Sequence, residues 1–290
     1  MPTADEISKI KAAIQKTGFP AELTICAKLL SLGIKPYQSQ YYIDKDENKA
    51  REIDIVAGCG WNFTLGATTL YLIRALVIEV KKSTRPWVIF TSARSNTDHE
   101  SPSCISFLNV DESAASDITS IVHATCLSQF ERIGRNGCVL YAKELSNGSI
   151  EDGDRNGERS SSIPGLLPSI KASINISAYN KIRLDHYGTE APSQATKMAG
   201  IVERILVLDG KLFESYLDEH GNLQVNETHH IPYLVNYDSE NYPHLNLIVH
   251  IVTISHFVEF VRTRQDWVKS VGISCANIIL RPDLVPPFSE

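Results

Sequence analysis

This chain has neither an excess of basic residues nor a long apolar run. Its 28 Lys and Arg are outnumbered by 34 Asp and Glu, for a formal charge of -6. Phosphate binding draws on clustered Lys and Arg, so this balance excludes a protein that coats nucleic acid by bulk charge and leaves room only for a local basic groove. The most apolar long stretch, Leu245 to Val261, is broken by His250, His256 and Glu259 and is too short and polar to span a bilayer. No membrane span is expected. The opening segment MPTADEISKIKAAIQKTG lacks the apolar core and cleavage site of a signal peptide, so it is expected to stay on the mature protein. Six cysteines (Cys26, Cys59, Cys104, Cys126, Cys138, Cys275) form no CxxC pair and no zinc-ligand spacing, which implies reduced thiols and a cytoplasmic protein.

Nucleophile and nucleotide motifs are missing too. There is no GxSxG and no cysteine with a histidine in a protease-like setting. Gly58-Cys59-Gly60 fails the GxGxxG spacing and reads as a turn after a strand. His229-His230 would point to opposite faces of a strand, so the pair does not make a metal site. No internal repeat is found.

What is present is a chain of 290 residues, 43% hydrophobic and 21% charged, long enough to bury a sizeable core. Helices and strands mix along it. Residues 5 to 16 read as a short amphipathic helix. A second helix has Pro20 in its first turn, stops at Gly33, and carries an apolar stripe of Leu23, Cys26, Leu29 and Leu30 with Glu22 at its margin. Strand-like segments follow at Lys35 to Ile43, Arg51 to Ala57, Tyr71 to Lys81 and Trp87 to Phe90. The region from Thr91 to Ala115 is irregular and Ser116 to Arg132 has helical spacing. The polar stretch 147–164 reads as a loop or disordered segment. Later segments read as a helix (Pro168 to Leu184), three strands (Ile201 to Leu208, His229 to Tyr237, Leu247 to Thr253) and a helix from Ser255 to Lys269.

The period of two in the central strands carries the chemistry. In Arg51 to Ala57, Ile53, Ile55 and Ala57 are expected on one face, with Glu52, Asp54 and Val56 on the other. In Leu76 to Lys81, the aliphatic residues Leu76, Ile78 and Val80 oppose Val77, Glu79 and Lys81. Asp54 and Glu79 side by side repel unless a cation lies between them, and hard divalent ions take such oxygen ligands. Lys81 projects to the same side. That set suits phosphodiester hydrolysis, with metal on the two carboxylates and Lys81 orienting water and balancing charge.

In order, spacing and hydrophobic flanking, TGFPAELTICAKLLSLG, then REIDIVA, then LVIEVKKS resembles the core of the PD-(D/E)XK nuclease superfamily. Asp54, Glu79 and Lys81 match its signature, and Glu22 matches the helix glutamate that many members place beside the metal. Ile53 stands where the motif's name has proline. The resemblance covers residues 17–92 and implies a restriction-endonuclease-like α/β fold, with a mixed central sheet flanked by helices and a C-terminal α/β extension. The expected organisation is one nuclease-like domain over 1–290, with residues 93–290 elaborating the core. The 25 residues from Asp54 to Glu79, WNFTLGATT among them, are expected to need an inserted loop.

The activity so implied is Mg2+-dependent nuclease action, with Mn2+ as a possible substitute. Asp54, Glu79 and Glu22 would face the metal, and DNA is favoured over RNA. Lys82 and Arg85 are candidates for phosphate contact, while Trp87 is expected to pack under the sheet. Dedicated DNA-recognition motifs are absent, which suits low sequence specificity or recognition through a protein partner or a homo-oligomer, as in nucleic-acid defence or repair. The alternative is a nuclease-like fold acting as a non-catalytic binding or regulatory module.

Overall fold

A computed structural model of the chain describes residues 2–65, 68–95, 105–108, 110, 112–139, 166–180 and 197–280. The stretch 147–164 lies outside them. Five helices are formed among the described residues: α1 (Ala4–Gln15), α2 (Phe19–Ser31), α3 (Glu112–Cys126), α4 (Leu166–Asn180) and α5 (Phe257–Leu280). The strands are β1 (Lys35–Asp44), β2 (Lys49–Leu65), β3 (Thr68–Lys82), β4 (Trp87–Ala93), β5 (Ile105–Leu108), β6 (Arg132–Val139), β7 (Lys197–Asp209), β8 (Leu212–Leu217), β9 (Leu223–Thr228), β10 (His230–Ser239) and β11 (Tyr242–Thr253).

They build one mixed sheet in the order β1-β2-β3-β7-β11-β10-β6-β4-β8-β9, with β5 pairing β7 off that path. β1, β2 and β3 form consecutive antiparallel hairpins, and β3, β7 and β11 run parallel at the centre. β7 is buried along almost its whole length, in keeping with apolar residues on either side of the central Glu203-Arg204 pair. The C-terminal part of the chain, expected as an extension, therefore supplies the middle of the sheet.

Helices cover both faces. On one side Ile25 and Leu29 of α2 and Phe257, Phe260 and Val261 of α5 pack on Ile55, Leu76, Ile78, Ile205 and Val207. On the other, Ala172 and Ile176 of α4 meet Val56, Ala75, Val77 and Val202. Leu23 and Leu30, expected on the buried stripe of α2, are exposed; the helix is rotated so that Ala21, Ile25, Cys26 and Leu29 go inward. Gly33, at φ 72, ends the excursion from α2 as the sequence suggests.

Among the described residues, the segment between Asp54 and Glu79 that was expected to need an inserted loop is strand. β2 and β3 stay paired from Ile55↔Ile78 out to Leu65↔Thr68, as two long antiparallel arms. Gly58-Cys59-Gly60 lies inside the first of them, in register with Ala75, Arg74 and Ile73, rather than in a turn. The glycine has a packing reason: a Cβ on Gly60 would lie 2.5 Å from the Oη of Tyr71. Gly60→Ala is expected to lower stability by about 1–3 kcal/mol, the range for overpacking a filled site. A urea midpoint equal to wild type would disprove that reading.

One buried polar cluster was not foreseen. Glu203 of β7 accepts from Arg74 Nε of β3 and, at 2.6 Å, from Arg264 Nε of α5, all three side chains being buried. Burial pushes the Glu203 carboxyl up, but the two guanidiniums outweigh it and hold the group below its ordinary range. The triad joins the central strands to α5 at one defined position. Beside it, His230 and His250 face each other at 3.1 Å, and burial, assisted by Arg264, keeps both rings neutral.

Candidate active site

The centre of interest is a fork between β2 and β3. Their ladder ends at Ile55↔Ile78, and the next residue of β2, Asp54, takes the Val80 N–H on its own Oδ2 at 2.7 Å. Below this point, among the described residues, β2 is partnered only by β1, from Gln40↔Ile53 to Asp44↔Lys49. On β1 the register passes over Ser39, which sits at φ 52, a conformation uncommon for a residue with a side chain. The alternation of faces breaks here. Ile53, expected beside Ile55 and Ala57, instead packs with Val56, Val77 and Ala172 on the opposite side of the sheet.

Beyond the fork the β1–β2 hairpin reaches across to the β10–β11 turn. Asp46 accepts from Tyr237 Oη at 2.5 Å and Ser239 Oγ at 2.8 Å, and Lys171 of α4 reaches Asp44 at 2.9 Å and Asp46 at 3.0 Å. The hairpin that carries Asp54 is thus fastened at both ends, by the sheet and by this clasp.

Glu79 follows Ile78, the last β3 residue of the ladder with β2, and is buried at 5% exposure. Its Oε1 accepts from Lys81 Nζ, while its Oε2 is buried with no hydrogen-bond partner. An orphaned acceptor in a native interior marks a place where something else can bind. Burial pushes the Glu79 carboxyl up to about 7; the nearby Asp54 and, more weakly, Glu22 add to this, and Lys81 opposes it. Asp54 is also raised, by burial and by Glu52, against the pull of the Val80 N–H and Lys81. Glu22, on the first turn of α2, is raised by burial and by the charges of Asp54 and Glu52, with Lys81 opposing.

All four expected residues therefore act on one another electrostatically around the fork, although they come from three elements. Glu52, which the sequence reading put on the Asp54 face without giving it a role, is a fifth member. Its signal was available, two residues before Asp54 in REID and so on the same side by the strand period.

Among the described residues no group of three or more His, Cys, Asp or Glu side chains is arranged to hold a metal ion. Glu22, Asp54 and Glu79 thus do not form a ready-made cage. Mg2+, however, commonly takes only one or two protein carboxylates and fills its shell with water and substrate oxygens. The free Oε2 of Glu79 and the Asp54 carboxylate are hard oxygen donors that fit such an ion.

The neighbouring basic residues divide. Lys82 donates its Nζ to Gln15 O at 2.7 Å, tying the end of α1 to β3, and remains solvent-exposed. Arg85 is exposed in the turn between β3 and β4, where Ser83 Oγ bonds its backbone. Both stand at the carboxyl edge of the parallel strands, which is where ligands of open α/β sheets collect. Trp87 is buried in the core. His229 lies between β9 and β10 rather than within a strand, and it turns to Thr253 while His230 turns to His250. Cys26, Cys59, Cys126 and Cys275 are not joined in disulfides.

No protein-family model, no curated protein and no solved structure matches this chain. The fold is a mixed α/β architecture with a large mixed sheet flanked by helices. No helix among the described residues is long and apolar enough to cross a membrane.

Proposed function

We propose that this protein is a Mg2+-dependent nuclease of the PD-(D/E)XK type with a restriction-endonuclease-like core, hydrolysing phosphodiester bonds in DNA ahead of RNA. One observation carries the reading: at a strand fork, Asp54 and a buried Glu79 with an orphaned oxygen are placed beside Lys81. Asp54 and Glu79 would hold the ion, and Glu22 is the helper carboxylate. A bound Mg2+, or Mn2+ in its place, would supply charge neutralisation at the phosphoryl and leaving oxygens.

The chain's own groups do the rest. Glu79 presents its Oε2 from a buried position, and Asp54 is kept in place by the Val80 N–H. Lys81, held on the same side by Glu79, is the cation that orients the attacking water and offsets developing negative charge. Lys82 and Arg85, exposed at and beyond the end of β3, would be the phosphate contacts. With no dedicated recognition motif, the enzyme would act with low sequence specificity or through a partner, in nucleic-acid defence or repair.

A second reading is a non-catalytic nuclease-like module. It is favoured by the direct Lys81–Glu79 ion pair and by the absence of a three-ligand group among the described residues. Incubating the protein with plasmid DNA and with RNA in Mg2+, Mn2+ or EDTA separates the two. Metal-dependent cutting supports the enzyme, and none in any metal supports the module.

A further inference from the structure

Helix α1 is well made yet buries nothing. Thr3 caps it, donating its backbone N–H to Glu6 Oε2 at 2.7 Å while its Oγ1 accepts from Glu6 N–H at 3.2 Å. None of its residues is buried, and Ile7, Ile10 and Ile14 are 40%, 56% and 46% exposed. An isolated helix of this length is marginal in water, and helices in proteins draw most of their stability from packing an apolar face. The face is defined: Ile7, Ile10 and Ile14 recur at the a, d, a spacing of a heptad. Directly after it, α2 adds exposed Phe19 and Leu23.

Charge selects the occupant. With Ile7 at a, Glu6 falls at g and Lys11 at e, five residues apart. In a parallel pairing of identical helices the g residue of one chain lies against the following e residue of the other, so Glu6 meets Lys11 of the second copy on both sides of the seam. An antiparallel pairing would set Lys11 against Lys11. Asp5 and Lys9 bond to each other within the helix at 2.7 Å, on positions f and c, away from the seam.

We infer that α1 is a self-association element, joining copies of this chain through a parallel helical bundle with Ile7, Ile10 and Ile14 as its layers. Isoleucine at both a and d favours bundles of three or four chains over two. Lys82, by holding the Gln15 carbonyl, sets the bundle at the carboxyl end of β3, so association would gather several forks at one end of the assembly.

Sedimentation equilibrium of the full chain tests this. The expected result is a mass of at least twice the chain, falling to the monomer in Ile10→Glu with an unchanged near-UV circular dichroism spectrum, because α1 contributes nothing to the buried core. Lys11→Gln distinguishes the orientation: it weakens a parallel bundle and tightens an antiparallel one. A wild type that stays monomeric at all concentrations, an oligomer indifferent to Ile10→Glu, or tighter association of Lys11→Gln would each overturn the inference.

Discussion

Asp54→Ala and Lys81→Ala are each expected to lower Mg2+-dependent cleavage by roughly 10²–10³-fold or more, the scale for removing one group that holds or offsets developing charge. The two losses should differ in kind. Asp54 contributes a carboxylate at the fork, so its removal should also weaken metal binding, seen as a higher Mg2+ concentration for half-maximal rate. Lys81 contributes an ammonium paired with Glu79, so its removal should spare or tighten metal binding while depressing turnover. Glu22→Gln should be milder, because Glu22 lies on α2 and acts on the cluster through its charge. Thermal midpoints within a few degrees of wild type would separate lost chemistry from lost folding. Cutting that is equal in wild type and both variants would assign the activity to a contaminant and remove the site.

Glu79→Gln is expected to change how stability depends on pH. A free glutamate titrates at 4.5, and in the fold burial and neighbouring charge raise Glu79 to about 7. Between those values the folded protein holds a proton that the unfolded chain has lost. The stabilisation is therefore complete below the unfolded value and is lost as pH rises through about 7. The displacement corresponds to roughly 3 kcal/mol, an order-of-magnitude figure for a buried group coupled to Asp54. Relative to wild type, Glu79→Gln should gain stability on going from about pH 5 to about pH 8, because the amide carries no charge to bury.

Metal should reverse the trend in wild type. An ion that binds only the ionised carboxylate stabilises the fold by mass action, so Mg2+ should raise the thermal midpoint at about pH 8 and hardly at about pH 5. The increment should vanish in Glu79→Gln. Denaturant titrations across this range, with Mg2+ and with EDTA, give both results. Superimposable wild-type and Glu79→Gln curves would show that Glu79 titrates normally and would leave the fork without its buried base.

Much of the local structure was legible. β-Branched runs marked β2 and β3, the Pro20-to-Gly33 punctuation framed α2, and the strand period placed Glu79 and Lys81 on one side, where their ion pair forms. Side-chain alternation is a property of a single strand and needs no partner, so it can be read directly. Less legible was the length of the β2–β3 pairing. Gly58 and Gly60 looked like punctuation, but in a strand a glycine also serves close approach, and Tyr71 fills that space. The face that α2 buries was misjudged by about one position, because exposed Leu23 and Leu30 are as apolar as the residues that go inward.

By itself the sequence determined which residues could do chemistry: an acidic and a basic group two positions apart on β3, a second carboxylate on the preceding strand, and a glutamate on the helix before them. Those are matters of residue type and period. Only the tertiary structure decided that they meet. The meeting depends on β2 leaving β3 at Asp54, on the clasp of Asp44 and Asp46 with Lys171, and on β7 arriving from more than a hundred residues later to bury the other edge of β3. Such pairings arise between distant segments, and a buried guanidinium such as Arg74 looks no different from a surface arginine until Glu203 and Arg264 are brought beside it. The raised proton affinity of Glu79 has the same origin, since it comes from exclusion of water and nearby charge, neither of which is written in the residues next to it.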